Sequence, residues 1–306
     1  MLAGIEAGGS KTVCVVGRDA HHIFDRTVVP TTIPAETLPK LVAYFKECER
    51  RFEPIEAIGV AAFGPLEVHP SSPEYGRVGS TPKLAWQGFH WVQALRQAFS
   101  LPIYVDTDVN GAALAEWRWG AAQHLDTFLY LTVGTGIGGG GIINGNLIHG
   151  RLHPEMGHIR IPHDRERDPF PGCCPYHGNC LEGLASGEAI RRRWGKEAQN
   201  LAPDHPAWEL EAEYLALAMS NFIFTLSPQR ILLGGGVMKQ AGLIEAIRRK
   251  TLEYCAGYLP YLAGEIEHLI APPRLGDWAG SCGALALAAT GSSNAALSPP
   301  EFREMQ

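Results

Sequence analysis

The chain lacks a basic N-terminal region followed by an apolar signal core, and it has no uninterrupted apolar run long enough to span a bilayer. Neither a secretory leader nor a membrane anchor is expected. It also lacks an excess of basic charge. Its 26 Lys and Arg stand against 32 Asp and Glu, for a formal net charge of -6. That argues against a dedicated nucleic-acid binder with a broad basic surface, but not against a nucleotide, which needs only local donors. Nor do the seven cysteines form an even, regularly spread disulfide framework. Cys14, Cys48, Cys255 and Cys282 lie among apolar or small residues and read as plain thiols in a reducing cytoplasm. The 306 residues suit one large or two medium domains, and an apolar share of 45% allows a sizeable core.

What is present is glycine at the ends of apolar strands. Residues 2–17 read strand, Gly-rich turn, strand. Ser10-Lys11-Thr12 resembles the end of a P-loop but lacks the glycine that should precede the lysine, and β-branched residues follow where a helix should begin. The amides and hydroxyls of such a turn can still receive a phosphate; a plain hairpin is the alternative. Residues 128–146 repeat the theme around Gly134-Thr135-Gly136. They contain the letters of a dinucleotide fingerprint, but an Asn144-Gly145 turn follows instead of a helix. A third turn, Gly234-Gly235-Gly236, closes a buried strand. The two strand–turn–strand units imply an internally duplicated fold.

Between these turns, apolar spacing at Leu38, Leu41, Val42, Phe45 and Cys48 predicts a helix over 36–52. A strand over 55–64 ends at Gly64-Pro65. A polar excursion over 69–86 is marked by proline and glycine, and long loops of this kind are often functional. A short helix over 91–99 and a strand over 102–106 follow. Residues 106–111 read as a turn, and a helix runs to Trp119. Carboxylates at the carboxyl end of a strand lie where α/β proteins place ligands. Asp108 there suits a general base; the alternative is a helix-initiating Asp that stabilises the first turn by about 0.3–1 kcal/mol. Asp106 either competes for that role or orients the turn. Further helices are predicted over 186–194, 209–226, 244–258 and 277–290, the last Ala-rich and suited to close packing. Residues 291–306 read as a frayed tail.

The densest chemistry lies in residues 153–188. Cys174, His177 and Cys180 are evenly spaced on a turn-rich segment with Pro175 and Gly178, and His158 lies just upstream. Three such ligands and a fourth from His158 make a tetrahedral zinc (Zn2+) site of the structural kind. Cys173 is an alternative to Cys174 after a small shift, and His153 and His163 are alternatives for the fourth ligand. Ordinary buried thiols in a loop are the bland reading.

Together these motifs resemble the ROK family of sugar kinases and repressors, over nearly the whole chain. Gly4-Ile5-Glu6-Ala7-Gly8-Gly9-Ser10-Lys11 is similar to its first phosphate motif, Val133 to Gly140 to its second, and Leu233 to Val237 to its adenosine motif. Glu155-Met156-Gly157-His158 followed by Cys174, His177, Cys180 and Glu182 is the most specific signature. The resemblance is strongest to the fructokinase branch, through His153-Pro154-Glu155-Met156-Gly157-His158, the Cys-Pro-Tyr-His-Gly-Asn-Cys knuckle and Ser80-Thr81-Pro82-Lys83. His177 stands where a glucose-type knuckle more often has a third Cys, and Thr107 where Asn is usual; both favour fructose.

The resemblance implies an α/β chain with the duplicated actin/hexokinase-like (ribonuclease H-like) fold and two lobes with a cleft that closes on substrate. The small lobe would cover 1–118, with the helix at 277–290 packing back on it, and the large lobe 119–276. It implies ATP-dependent phosphorylation of a hexose, most of all D-fructose to fructose 6-phosphate, with Asp108 as base. Gly8, Gly9, Ser10, Lys11, Thr135, Gly136 and Gly234–Gly236 would hold ATP. Gly64, Thr107, Glu155, His158 and Glu182 would meet the sugar beside Asp108. Magnesium (Mg2+) would sit near Glu6 through water, and zinc would be structural. The partners would be the hexose, ATP and a second copy of the chain, with no nucleic acid and no membrane. Mannose, glucose and N-acetylhexosamine kinases are the neighbouring readings. A repressor would need a helix-turn-helix ahead of a motif that here begins at residue 4, and a dead sensor would be expected to lose Asp108 or a glycine turn.

Overall fold

The computed structural model describes residues 1–290; the tail expected at 291–306 lies outside the described residues. The chain divides into two compact units. The first holds Met1–Asp126, Gly140–Pro154 and the described chain from Arg274 onward, and the second holds Thr127–Gly139 and Glu155–Pro273. This division differs from boundaries at 118/119 and 276/277: residues 140–154 fall in the first unit.

The first unit opens with β1 (Leu2–Ala7), β2 (Lys11–Asp19) and β3 (His22–Pro30), followed by α1 (Pro34–Arg51), β4 (Ala57–Ala62), α2 (Trp91–Arg96), β5 (Ile103–Thr107) and α3 (Asp108–Trp119). Strand β1 is buried except for Glu6, and all of β4 is buried, as parallel strands covered on both faces should be. Strand β3 is the element that sequence reasoning passes over. Asp25, Arg26 and Thr27 interrupt its apolar residues, and it lies at the sheet edge, where one flank needs no burial. Helix α1 buries Leu41, Phe45 and Cys48, the face its spacing predicts.

The chain continues through β6 (Phe128–Val133), β7 (Ile137–Ile143) and β8 (Asn146–Leu147). Then come α4 (Leu181–Ala185), α5 (Gly187–Trp194), α6 (Ala207–Leu226), β9 (Arg230–Gly234), α7 (Leu243–Cys255), α8 (Leu262–Leu269), β10 (Ile270–Ala271) and α9 (Ala279–Ala289). The short α4, α8 and β10 leave no clear period in the sequence. No described helix is long and apolar enough to cross a membrane.

One sheet runs β3-β2-β1-β4-β5 and the other β10-β9-β6-β7-β8. Counted from its own first strand, each has the order 3-2-1-4-5. In the first, β1 pairs antiparallel with β2 and parallel with β4, and β4 pairs parallel with β5. In the second, β9 pairs parallel with both β6 and β10. The same order twice is the duplicated actin/hexokinase-like α/β fold.

Helix α9 returns to the first sheet. A Cβ at Gly59 would collide with the Ala284 carbonyl, and one at Gly4 would lie 2.9 Å from the Ala284 Cβ. Small residues on both sides allow this depth of contact, since close-packed interiors leave no slack for an added methyl group.

Candidate functional site

The register of the first sheet brings three sequence features to one edge. Ala7 pairs with Ala62, and Ala62 with Thr107. The ends of β1, β4 and β5 are therefore level, and the Gly8–Ser10 turn, Gly64 and Asp108 leave that edge side by side. This is the carboxyl edge of the parallel strands, where open α/β sheets hold ligands.

Asp108 is the first residue of α3, half-exposed, with its Oδ1 accepting from the Val109 amide at 2.9 Å. No turn separates strand from helix, contrary to the sequence expectation for 106–111. Thr107, 3% exposed, caps α3 through its hydroxyl, which accepts from the Asn110 amide at 3.2 Å. A strand can thus pass directly into a helix.

Asp106 is buried, and its Oδ1 accepts from the Thr107 amide at 2.7 Å and from Asn110 Nδ2 at 2.9 Å. Its Oδ2 pairs with His149 Nε2 at 2.8 Å. Asn110 Oδ1 accepts in turn from the Gly141 amide at 3.2 Å. Burial alone would lower the His149 pKa, but the hydrogen bond and charge of Asp106 outweigh it and raise it. Asn110 and His149 thus brace the backbone under Asp108. Sequence reasoning missed both, because neither stands beside Asp106 in the chain.

At the first turn, the Gly8 amide donates to the Lys11 carbonyl at 3.0 Å, and Ser10 and Lys11 are exposed. Burial pushes the Glu6 carboxyl above its ordinary value, with Lys11 and Arg26 opposing. Its oxygens lie against Gly280, where a Cβ would collide with them. Gly64 is half-buried and precedes Pro65 through a cis peptide.

The second unit has a level edge of its own. Thr132 of β6 pairs with Gly234 of β9, so the Gly134–Gly136 and Gly235–Gly236 turns emerge together. Gly235 has φ +98°, and a Cβ there would collide with the Val133 carbonyl, so only glycine fits. The Gly134 carbonyl accepts from the Gly187 amide at 2.7 Å, tying the turn to the start of α5. Glu182, in the first turn of α4, reaches the same turn: its Oε2 accepts from the Ile137 amide at 2.9 Å. Glu155 is exposed, and its carbonyl accepts from the His158 amide at 2.9 Å.

His158, Cys174, His177 and Cys180 come together, with one ligand atom from each lying within 4.8 Å of the others. Cys174 Sγ is 3.8 Å from His158 Nδ1 and 3.6 Å from His177 Nδ1, and Cys180 Sγ is 3.6 Å from His158 Nδ1. Tetrahedral bonds of about 2.3 Å to sulfur and about 2.0–2.1 Å to nitrogen would set S–N separations of about 3.6 Å, so the set fits a four-coordinate metal ion. Burial, with Cys174 adding to it, raises the Cys180 pKa. The alternative residues have other neighbours. Cys173 Sγ faces Ser186 Oγ at 4.0 Å, His153 Nε2 accepts from the Leu66 amide at 3.0 Å, and His163 Nε2 lies 3.0 Å from the Asp168 carbonyl. All seven cysteines are free thiols.

The model of the ROK family matches residues 2–290. The chain is 45% identical to a putative fructokinase of Bacillus subtilis over 94% of its own length and 95% of that protein's. It is also 45% identical to a fructokinase of Zymomonas mobilis, over 93% and 95%. A ROK family glucokinase from Streptomyces griseus, solved with glucose and AMPPNP, superposes with a TM-score of 0.73 at 25% identity, covering 95% of this chain and 99% of that one.

Proposed function

The chain belongs to the ROK family, and we propose on that premise that it transfers the γ-phosphoryl group of ATP to the primary 6-hydroxyl of D-fructose. The observation that carries this reading is the level edge of the first sheet, where the Gly8–Ser10 turn, Gly64 and Asp108 stand side by side. Full-length similarity to fructokinases supports the choice of sugar.

Asp108 accepts the proton of the attacking hydroxyl. Its place at the start of α3 favours the ionised carboxylate, since a helix N-terminus stabilises negative charge. Phosphoryl transfer asks chiefly for positioning and charge neutralisation. The turns at Gly8–Lys11 and at Thr135–Gly136 hold the phosphates with backbone amides, and Gly234–Gly236 receives the adenosine. Gly64, Thr107, Glu155, His158 and Glu182 bind the sugar hydroxyls. Glu6 would be the acid that holds magnesium through water, and the ion would supply positive charge to the phosphates. His158, Cys174, His177 and Cys180 would hold zinc, bound for structure, because four protein ligands would leave no position for a reacting water. His158 faces the thiols through Nδ1, so its Nε2 would remain for a sugar hydroxyl, in an orientation that a bound metal would fix.

The test is ADP release with Mg-ATP against fructose, mannose, glucose, N-acetylmannosamine and N-acetylglucosamine. The expected result is the highest kcat/KM for fructose. Preference for another hexose overturns the sugar assignment, and no turnover on any of them overturns the kinase assignment.

A further inference from the structure

The excursion between β4 and α2 returns across the first phosphate turn. Its anchor is Trp86, 1% exposed and stacked on Trp91 with ring centroids 5.2 Å apart. The Trp86 indole N–H donates to the Thr32 carbonyl at 2.7 Å. The neighbouring Thr31 is itself tied to the turn: its amide donates to the Ser10 carbonyl and its hydroxyl to the Gly8 carbonyl, each at 3.0 Å. The Lys83 carbonyl accepts from the Trp86 amide at 2.8 Å, and the Lys83 amide donates to the buried Thr81 hydroxyl at 3.4 Å. The backbone of Lys83 is therefore held from both sides.

The side chain that leaves this backbone runs over Gly9. A Cβ at Gly9 would lie 2.9 Å from Lys83 Cε and 3.7 Å from Nζ. Glycine leaves the space the lysine stem occupies, and the ammonium is brought up to the turn. Lys83 is half-buried, and its Nζ has no hydrogen-bond or ion-pair partner among the described residues. A half-buried ammonium held beside an amide-lined turn is placed for an anion.

Resting on the kinase reading above, we propose that Lys83 is a phosphate-binding catalytic residue: its ammonium contacts oxygens of the nucleotide phosphates held at Gly8–Ser10 and offsets the charge that moves there during transfer. Amides supply partial charges in fixed directions, whereas lysine supplies a full, compact charge that can follow the phosphate. Preorganised charge of this kind acts in the transition state more than in the ground state, and losing one such donor costs on the order of 10²–10³ in rate.

The test compares wild type with Lys83→Ala, Lys83→Met, Lys83→Arg and Gly9→Ala. In steady-state kinetics, Lys83→Ala and Lys83→Met are expected to lower kcat/KM for Mg-ATP by about 10²-fold with the KM for fructose unchanged. Lys83→Arg should recover part of the loss, and added methylammonium should restore part of the turnover of Lys83→Ala. Gly9→Ala, which displaces Cε, should move the same parameters in the same direction. Calorimetric titration with Mg-ADP gives a readout that needs no sugar: affinity should fall in Lys83→Ala and Lys83→Met while adenosine binding is unchanged. Wild-type kinetics and ADP affinity in both variants overturn the proposal. If wild type phosphorylates no hexose, the kinase reading fails alone, and the ADP titration still decides Lys83. Lys83→Met keeps the stem across Gly9, so a loss there reports the charge and not the packing.

Discussion

Asp108 shows how little separates a helix-starting carboxylate from a candidate base. Its Oδ1 already serves the Val109 amide, as any first-turn Asp would. What distinguishes it is its partial exposure at the sheet edge and the bracing of the strand end before it, where Asn110 and His149 both bond Asp106. Asp108→Asn preserves the shape and the amide contact but removes the basic site. It is expected to bind fructose normally and to lose roughly 10²–10⁴ in kcat, the usual contribution of general-base catalysis. Turnover at the wild-type rate would remove Asp108 as the base. Glu211 is the opposite case, a carboxyl with no visible chemistry. It is buried in α6, and its Oε1 has no hydrogen-bond partner among the described residues. Burial raises its pKa well above the ordinary 4.5, and Arg193 only partly opposes this. The folded state then holds a proton that the unfolded state releases, so stability declines as pH rises from 4.5 toward the raised folded value. Glu211→Gln should remove that decline: its urea midpoint, relative to wild type, should be higher at pH 8 than at pH 5. An equal offset at the two pH values would mean that Glu211 does not titrate in this way.

At the scale of elements, the knuckle stands apart from the sheets. Between the short 3-10 turn at Met156–His158 and α4 the described chain has no helix or strand, only isolated bridges, among them Cys174 with Gly178 and Arg160 with Cys180. The amide of Cys173 donates to the Gly183 carbonyl, and the buried apolar residues of the segment are Ile161, Cys174 and Cys180. Zinc would supply what a core supplies elsewhere. Elemental analysis of protein never exposed to chelator should find one zinc per chain, and stripping it should raise the KM for fructose more than it lowers kcat, because Glu155, His158 and Glu182 flank the knuckle. Protein free of zinc but fully active would overturn this. That a Cys/His cluster gathers on this loop was legible from spacing alone, since a short loop cannot separate residues three apart. The choice of His158 over His153 and His163, and of Cys174 over Cys173, was not, because each rejected residue has a partner supplied from elsewhere in its unit. Elements with a long period, such as α1, were legible too. Strand β3 and helix α4 were not: one is an interrupted edge, and the other is too short to show a helical period.

At the scale of the whole molecule, a chain that binds both a hexose and a nucleotide must be stabilised by each, because ligands that bind only the folded state shift unfolding by mass action. At about 100 times its dissociation constant, one ligand adds roughly 2.7 kcal/mol. Thermal unfolding should therefore shift upward with fructose, with Mg-ADP, and further with both, and Asp108→Asn should shift as wild type does. No shift with fructose at saturating concentration would argue against the sugar assignment on grounds independent of turnover. The sequence by itself determined the strand–glycine-turn repeats, the duplicated α/β class, the metal-type knuckle and Asp108 as a candidate base, because each is a local pattern whose spacing carries its own chemistry. Only the tertiary structure decided the level ends of β1, β4 and β5, the bracing of Asp106 by His149 and the passage of Lys83 over Gly9. Those depend on strand register and on where a long excursion is anchored, and both are set by packing between residues far apart in the chain.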